Sequence, residues 1–372
     1  MPDDPAIATP EEPFLLHVVP DSVANEDKAF LGSTKDIGGR EDYFGARAIR
    51  VVTLPATKRS DAQTLQEILA LDLTYCAAVL FEFETYRQSL HYLATYRPEI
   101  RLIVRAHNAN LPHYVDQLRG FALQGDTMRA QRAADQTLDR LAEDMATMSY
   151  ADVVLSISAW ESANYWSVLA PAAEVLTMPF FMPARFGAQI ERGEKERLCV
   201  CLMGTGYDMT GLLYGAGKTF VELVTAADGR LAHWDFAVTG RLDYPDILGP
   251  LGRISSTGLL PSPLPVLAKS KAIAILSDWG GGFKTKILEA ILAGNWVIVT
   301  REIFDRLPEP VRPWCIAISS LNADGFVEAL ARADGPVPDG DPNPALRAAA
   351  FAAMDEALAG LPLATAQRAM AV

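Results

Sequence analysis

The sequence has few cysteines, no excess of positive charge and no long apolar run. Four cysteines in 372 residues are too few for a disulfide-stapled secreted fold. Cys199 and Cys201 alternate within an apolar segment, but no histidine or cysteine cluster stands near them to complete a tetrahedral metal site. We therefore expect all four to be reduced core residues, the others being Cys76 and Cys315. The formal net charge of -13 excludes binding to nucleic acid or anionic lipid by overall charge.

Targeting and membrane-spanning segments are also missing. The first residues are acidic and contain proline, so they lack the positive start and apolar core of a signal peptide. No uninterrupted apolar run approaches the roughly 18 to 20 residues that cross a bilayer. These features predict a cytoplasmic protein with at most peripheral contact at the inner face of the membrane.

What the sequence does contain is an alternation of short apolar runs and helical segments. Half of the residues are hydrophobic, which is ample for two sizeable cores. The alternation is typical of parallel sheets covered by helices. We predict an α/β protein of two Rossmann-like, doubly wound domains facing a cleft. The expected domains are 1–183 and 184–344, with a last helix over 345–372 that packs back on the first domain.

The predicted elements divide between the two halves. Strands are expected at Phe14–Val19, Ile49–Leu54, Ala77–Phe83, Leu102–Ala106, Val153–Ser156, Leu198–Met203, Asp235–Thr239, Ala272–Leu276, Trp296–Thr300 and Cys315–Ile318. Helices are expected at Thr127–Ser149, Lys218–Ala227, Ser262–Lys269 and Lys284–Ala293. The first of these helices contains no proline or glycine, and its charges share one face.

The most informative segment runs from Ser277 to Gly294. A predicted strand ends just before three glycines, Gly280, Gly281 and Gly282, and a helix begins just after them. Successive glycines let backbone amides approach a ligand, and the start of a helix favours phosphate. Lys286 supplies a counter-charge, and Glu289, three residues later, is able to accept two ribose hydroxyls. The alternative interpretation is a glycine-rich turn into a surface helix with an ordinary Lys–Glu pair.

This segment looks like the donor-binding signature of the group 1 glycosyltransferases of the GT-B fold, in a Gly-Gly-Gly variant. The resemblance implies that Lys286 meets the donor diphosphate, Glu289 the ribose, and Gly281 and Gly282 the phosphates or the sugar. Many members have two glutamates separated by seven intervening residues; here Glu289 is the second, and Gly281 stands at the first position. The full donor-binding set that it implies is Gly204, Lys218, Arg241, Gly280, Gly281, Gly282, Phe283, Lys284, Thr285, Lys286 and Glu289.

Weaker similarities follow in the family's order along the chain. The segment Tyr150–Ser158 is similar to the element that ends the N-terminal domain, and Pro179–Pro183 stands where the linker begins. Thr257–Leu260 is like the loop near the nucleotide base. His107 follows a strand, as does a histidine that often faces the donor sugar, so the implied catalytic residues are His107 and Lys286.

Other patterns have competing interpretations. Gly217-Lys218-Thr219 suggests a phosphate-binding P-loop, but the required first glycine falls on Leu212, so we expect Lys218 to begin a helix instead. Glu82 and Glu84 end an apolar strand, where solvated residues are favoured over an acceptor-binding pair. We expect His113 to lie in the same loop as His107. Three aromatic residues, Trp160, Tyr165 and Trp166, are expected to pack in a core.

The resemblance implies transfer of a sugar from a nucleotide-sugar donor to a hydroxyl of a glycan or lipid-linked acceptor, in surface glycan assembly. The donor is a substrate, no further cofactor or metal is implied, and a retaining course is favoured. Two alternatives stay open. One is an NTP-binding protein centred on Lys218, and the other is a non-catalytic partner with the same fold.

Overall fold

Two separate sheets organise the chain. The computed structural model describes residues 11–20, 32–56, 60–123, 125–202, 211–240, 249–258, 260–277 and 282–363. Its contacts divide the chain into two compact units. Unit 1 comprises Met1–Ala109, Arg140–Pro183 and Arg347–Val372, and unit 2 comprises Asn110–Asp139 and Ala184–Leu346.

The elements follow one another in a regular alternation. The strands are β1 Phe14–Pro20, β2 Val51–Ala56, β3 Cys76–Glu82, β4 Arg101–Ala106, β5 Val153–Ser156, β6 Glu174–Thr177, β7 Glu196–Cys201, β8 Asp235–Val238, β9 Ile254–Ser256, β10 Ser270–Ile275, β11 Trp296–Val299 and β12 Cys315–Ala317. The helices are α1 Gly32–Arg47, α2 Asp61–Leu69, α3 Arg87–Tyr96, α4 Asn110–Leu123, α5 Thr127–Met148, α6 Ala159–Glu161, α7 Ser167–Leu169, α8 Ala184–Gly187, α9 Gly211–Ala226, α10 Leu264–Lys269, α11 Thr285–Leu292, α12 Arg301–Arg306, α13 Ala323–Ala333 and α14 Asn343–Ala357. A π-helical turn at Ser162–Trp166 joins α6 to α7, and a 3-10 helix spans Glu309–Trp314.

Unit 1 contains a six-stranded parallel sheet with the order β2-β1-β3-β4-β5-β6. The chain moves outward from β1 in both directions, so the order reverses between β1 and β3. Strands β1 and β3 are buried along their whole length. That burial matches continuous apolar runs covered on both faces.

Unit 2 contains a second six-stranded parallel sheet, in the order β12-β11-β10-β7-β8-β9. Here the order reverses between β7 and β10. Its core is built around three phenylalanines, Phe220, Phe236 and Phe326, whose ring centroids lie 6.0 to 6.2 Å apart. Edge-to-face and tilted contacts of this kind add to the apolar burial.

The structure confirms the predicted α/β class with two doubly wound parallel sheets. Each predicted strand is present within a few residues of its expected ends, whereas the short edge strands β6 and β9 were not predicted. The predicted helix at Thr127–Ser149 corresponds to α5. All four cysteines are free and buried, as expected. Tyr165 and Trp166 are buried as well, which confirms that they pack in the core.

Helix α1 was not predicted, because it contains four glycines and few apolar residues. Tertiary packing explains one of these glycines. A Cβ placed on Gly39 would lie 3.1 Å from the ring of Phe181, so a larger residue there would require the ring to move by a few tenths of an ångström. Among the residues that the structure describes, no helix combines the length and the apolar character needed to cross a membrane.

Candidate functional site

The first candidate site lies at the strand-order reversal of unit 2. Strands β7 and β10 are neighbours there and end at Cys201 and Ile275. In open parallel sheets, ligands bind outside the carboxyl ends of the strands at this position. Helix α11 follows β10 along the chain, and the glycine-rich segment lies between them in the sequence.

The start of α11 is capped differently from the starts of two other helices of unit 2. Its N-cap residue is Lys284, which makes no side-chain capping hydrogen bond. In contrast, α12 and α13 are capped by the side chains of Thr300 and Asn322. Gly282, just ahead, has a φ of +72°, a left-handed conformation that favours glycine. An uncapped helix start carries partial positive charge and suits an anion.

Lys286 lies in the first turn of α11 and is half-buried. Burial raises the pKa of the Cys201 thiol to about 12, and the nearby charge of Lys286 opposes that rise. The Lys286 ammonium group therefore lies close enough to the end of β7 to act on Cys201.

Glu289 is only 3% exposed, so it is not part of an ordinary surface Lys–Glu pair. It lies on the same helix as Ile287, Leu288 and Ile291, which are buried against the sheet. The helix ends as predicted at Gly294, whose φ is +82°. The Gly294 amide donates to Ile291 and the next amide donates to the Ala290 carbonyl, which is a Schellman motif.

His113 and Lys284 are neighbours within unit 2. Burial and, as a smaller contribution, the charge of Lys284 lower the pKa of His113 to about 4. The His113 Nε2 atom lies 2.9 Å from the Gln117 side-chain nitrogen. The prediction that His113 lies in a loop is wrong, because it belongs to helix α4. Nothing in the local sequence pattern indicates that His113 of α4 lies near Lys284.

The structure does not place Lys218 at a helix start. It lies well inside α9, is half-buried and pairs with Glu222 at 3.9 Å. Gly215 and Gly217 are helical too. A P-loop needs these glycines in a loop before the helix, so the predicted helix start and the P-loop geometry are both wrong here. Four other predicted donor residues, Gly204, Arg241, Gly280 and Gly281, lie outside the described residues.

A second candidate site lies in unit 1, at the reversal between β1 and β3. Glu82, at the end of β3, is fully buried and accepts hydrogen bonds from three side chains. The donors are His17 at 2.7 Å, His107 at 3.0 Å and Arg40, whose Nη2 lies 2.6 Å from Oε2. The prediction that Glu82 is solvated is therefore wrong, and Glu84 is buried as well.

Asp36 forms the second anionic centre of this cluster. Arg105 binds its two oxygens at 2.9 Å each, and Arg40 binds one of them at 2.8 Å. Burial by itself would raise the pKa of both carboxyl groups. The charges of Arg105 and Arg40, with His107, nevertheless hold the pKa of Asp36 below its usual value. Arg40, with hydrogen bonds from His107 and His17, holds that of Glu82 well below its usual range.

His107 was predicted as a site residue from the sequence, but the residues that contact its ring were not. The signals were present: Asp36 and Arg40 are four residues apart on α1, and Arg105 interrupts an apolar strand.

Asp36, Glu82 and His107 offer ligand atoms within 4.8 Å of one another, as a metal site would. However, two guanidinium groups already occupy the carboxylate oxygens, so this trio fits an ion network better than a metal site.

No protein-family model and no curated protein sequence matches the chain. Several solved structures do. Sucrose-phosphate synthase from Thermosynechococcus elongatus aligns with 94% of this chain and 95% of its own, with a TM-score of 0.60 and 14% identity. An α,α-trehalose-phosphate synthase (UDP-forming) from Burkholderia vietnamiensis aligns with 93% and 96%, with a TM-score of 0.52 and 10% identity. The Anabaena protein HepE, in complex with UDP and glucose, aligns with 92% and 94%, with a TM-score of 0.50 and 11% identity. At this identity the likeness shows the fold: the chain has the two-domain, Rossmann-like GT-B fold.

Proposed function

We propose that the protein is a glycosyltransferase that moves a sugar from a nucleotide-sugar donor to a hydroxyl group. One observation carries the proposal. An uncapped helix start and the Lys286 ammonium group meet at the strand-order reversal of unit 2. That combination recognises a diphosphate, and the GT-B fold is the setting in which the resembling donor signature occurs.

In this proposal unit 2 holds the donor. The amides at the start of α11 and the Lys286 ammonium group bind the diphosphate, with Gly282 letting the backbone come close. The buried Glu289 carboxylate accepts hydrogen bonds from the two ribose hydroxyls. Phe283, Lys284 and Thr285 belong to the same segment and are half-buried beside it. Gly204, Lys218, Arg241, Gly280 and Gly281 complete the set that the resemblance implies.

The proposed chemistry depends on the leaving group. The bond between the sugar's anomeric carbon and the diphosphate oxygen breaks, a bond to the acceptor oxygen forms, and the acceptor hydroxyl proton is released. Negative charge accumulates on the departing diphosphate, where Lys286 and the helix-start amides stabilise it. This scheme assigns that role to protein groups and needs no metal ion.

The stereochemical course and the acceptor are also proposed. Gly281 stands where many members have the glutamate that touches the donor sugar, which makes this segment a Gly-Gly-Gly variant. The resemblance favours a retaining course, and NMR of the first-formed anomer distinguishes retention from inversion. The proposed acceptor is a glycan or lipid-linked sugar bound by unit 1, with His107 contacting the reacting groups. A lipid-linked acceptor would bring the protein to the inner face of the membrane.

A thermal-shift screen tests the donor site. The purified protein is screened against UDP, GDP, CMP, dTDP and ADP, their sugar conjugates, ATP and GTP. UDP comes first, because HepE was solved with UDP and the trehalose-phosphate synthase is UDP-forming. A ligand at about 100 times its dissociation constant stabilises the folded state by about 2.7 kcal/mol. Glu289→Ala is the matched variant.

The outcomes separate the three functions. A shift with one nucleoside diphosphate family that Glu289→Ala removes supports the donor site, and release of that diphosphate in turnover supports transfer. Binding without transfer or slow hydrolysis would identify a non-catalytic partner. A shift with ATP or GTP alone, abolished by Lys218→Ala and not by Glu289→Ala, would overturn the proposal.

A further inference from the structure

The imidazole ring of His107 is held from three directions by residues of unit 1. Its Nε2 atom lies 3.0 Å from Glu82 Oε2, and its Nδ1 atom lies 3.5 Å from Asp36 Oδ2. The Phe83 ring stacks on it with a centroid distance of 4.1 Å and an interplanar angle of 19°. Only 6% of His107 is exposed. These contacts therefore fix both the plane of the ring and its rotation within that plane.

Phe83 reaches this position through an unusual backbone. Its φ is +88°, and Ala48 is the other non-glycine residue with a positive φ in the part of the chain that the structure describes. Bulky side chains rarely adopt this conformation, and such strain persists where the surroundings enforce it. The Phe83 amide donates a 3.0 Å hydrogen bond to the Arg105 carbonyl, which ties this turn to the strand leading to His107.

The left-handed turn has a geometric consequence. Consecutive side chains of a regular strand point to opposite faces of the sheet. Glu82 and Phe83 are consecutive, yet the carboxylate of one and the ring of the other both contact His107. The positive φ at Phe83 permits this double contact, because it turns the chain where β3 ends.

Glu82 also decides which ring nitrogen carries hydrogen. Its pKa lies well below the usual range because the charge of Arg40 and the hydrogen bonds from His107 and His17 outweigh the opposing effect of burial, so the group is a carboxylate. A carboxylate only accepts hydrogen bonds, so the His107 Nε2 atom must be the donor.

We propose that Glu82 and Phe83 are positioning residues for His107: Glu82 fixes the proton on Nε2, and the strained Phe83 fixes the plane of the ring. The proposal about orientation stands on the geometry of unit 1 alone. Its consequence for turnover rests on the proposed glycosyltransferase function, in which His107 contacts the reacting groups.

The test uses the full chain labelled with ¹⁵N and ¹³C at histidine. With five histidines, His107→Ala assigns the His107 ring signals. The variants are Glu82→Gln, Phe83→Gly and Phe83→Ala. The control is Leu93→Ala, which opens a cavity in the buried face of α3 away from the cluster. Ring ¹⁵N shifts report the tautomer, ring ¹H shifts report the stacking, and release of UDP from UDP-glucose reports turnover.

We expect Glu82→Gln to change the His107 ¹⁵N pattern, and both Phe83 variants to move its ring protons downfield. Leu93→Ala should change neither. Misplacement of a reacting group lowers turnover by up to the order of 100-fold, and we expect kcat rather than KM to fall in all three variants. Phe83→Gly should have a higher Tm than Phe83→Ala, because glycine accepts the positive φ, yet lose as much kcat.

Two results would count against the proposal and one would not. Wild-type ring shifts in Glu82→Gln or in both Phe83 variants would overturn the positioning role. A loss of kcat that follows Tm, with Leu93→Ala losing as much as Phe83→Ala, would reduce Phe83 to a structural residue. If the ring shifts change as expected but His107→Ala keeps full turnover, positioning holds and the role given to His107 in the proposed function fails.

Discussion

The hydroxyl group of Thr300 donates a 3.1 Å hydrogen bond to the backbone carbonyl of Ser277. Thr300 follows β11 and Ser277 follows β10, so this bond ties neighbouring strand ends together where the glycine-rich segment begins. The same hydroxyl caps α12 by accepting from the Ile303 amide at 3.4 Å. Thr300 is 1% exposed, so water cannot replace the bond.

We predict that Thr300→Val weakens nucleotide binding as well as stability. Valine keeps the shape but removes the cap and leaves the Ser277 carbonyl without this donor, which costs about 1 to 2 kcal/mol. A loosened segment should lower UDP affinity roughly three- to tenfold. Calorimetric titration with UDP and chemical unfolding measure the two effects. Thr300→Ser keeps the hydroxyl and should restore both; failure of serine to restore binding would show that the hydroxyl does not anchor the segment.

Lys286→Met should lower kcat far more than it raises the donor KM. Its ammonium group meets charge that grows as the diphosphate departs, and loss of one such group typically costs about 10²- to 10³-fold in rate. Steady-state kinetics with the donor found by thermal shift measures the split. The matched control is Lys269→Met at the end of α10, an exposed lysine on the same unit. An equal loss in both variants would point to overall charge rather than to the position of Lys286.

The sheets could be predicted from sequence because the buried parallel strands are mostly apolar. β11, which is wholly apolar, and the apolar part of β10 are examples, and both strands were predicted. β6 was missed because an edge strand is only half covered and its sequence, Glu174–Thr177, mixes polar and apolar residues. α1 was missed because its helical state depends on contacts such as that between Gly39 and Phe181. Local propensity contains no information about such contacts.

The two candidate sites also differ in how far they can be predicted from the sequence. The glycine-rich segment is contiguous, so its chemistry can be read from spacing. The cluster around Glu82 draws on β1, α1, β3 and β4, and its members meet only because the sheet order places β1 beside β3. Glutamate at a strand end was predicted to be solvated because single-residue preference cannot anticipate Arg40, which neutralises it in the core.

Asp355 anchors α14 to α1 within unit 1. Tyr43 donates to its carboxylate at 2.8 Å, and Arg47 binds both oxygens at 2.9 and 2.6 Å. We predict that Tyr43→Phe costs about 1 kcal/mol, because it removes one hydrogen bond to a charged acceptor and keeps the ring contact with Phe351. Chemical unfolding measures the change. A double-mutant cycle with Asp355→Asn should show coupling, and additive effects would mean that the pair contributes nothing jointly.

The buried cluster in unit 1 predicts a definite pH dependence of stability. Asp36 and Glu82 have lowered pKa values in the folded protein, against about 3.9 and 4.3 for the unfolded chain. Between those values the unfolded chain binds more protons, so the free energy of unfolding rises with pH. The stabilisation is complete above about pH 5 and is lost as pH falls toward the lowered folded values. Guanidinium chloride unfolding at pH 7, 5 and 4 should show a similar midpoint at the first two and a lower one at pH 4.

Arg40→Met provides the decisive comparison for this pH effect. Removing one partner of a buried ion network leaves carboxylates uncompensated, so we expect a loss of about 3 to 5 kcal/mol at pH 7. In the variant Glu82 loses its main opposing charge, and burial then raises its pKa toward or above the unfolded value. The variant should therefore lose less stability than the wild type between pH 5 and pH 4. Parallel loss in both proteins would assign the acid sensitivity to carboxyl groups outside this cluster.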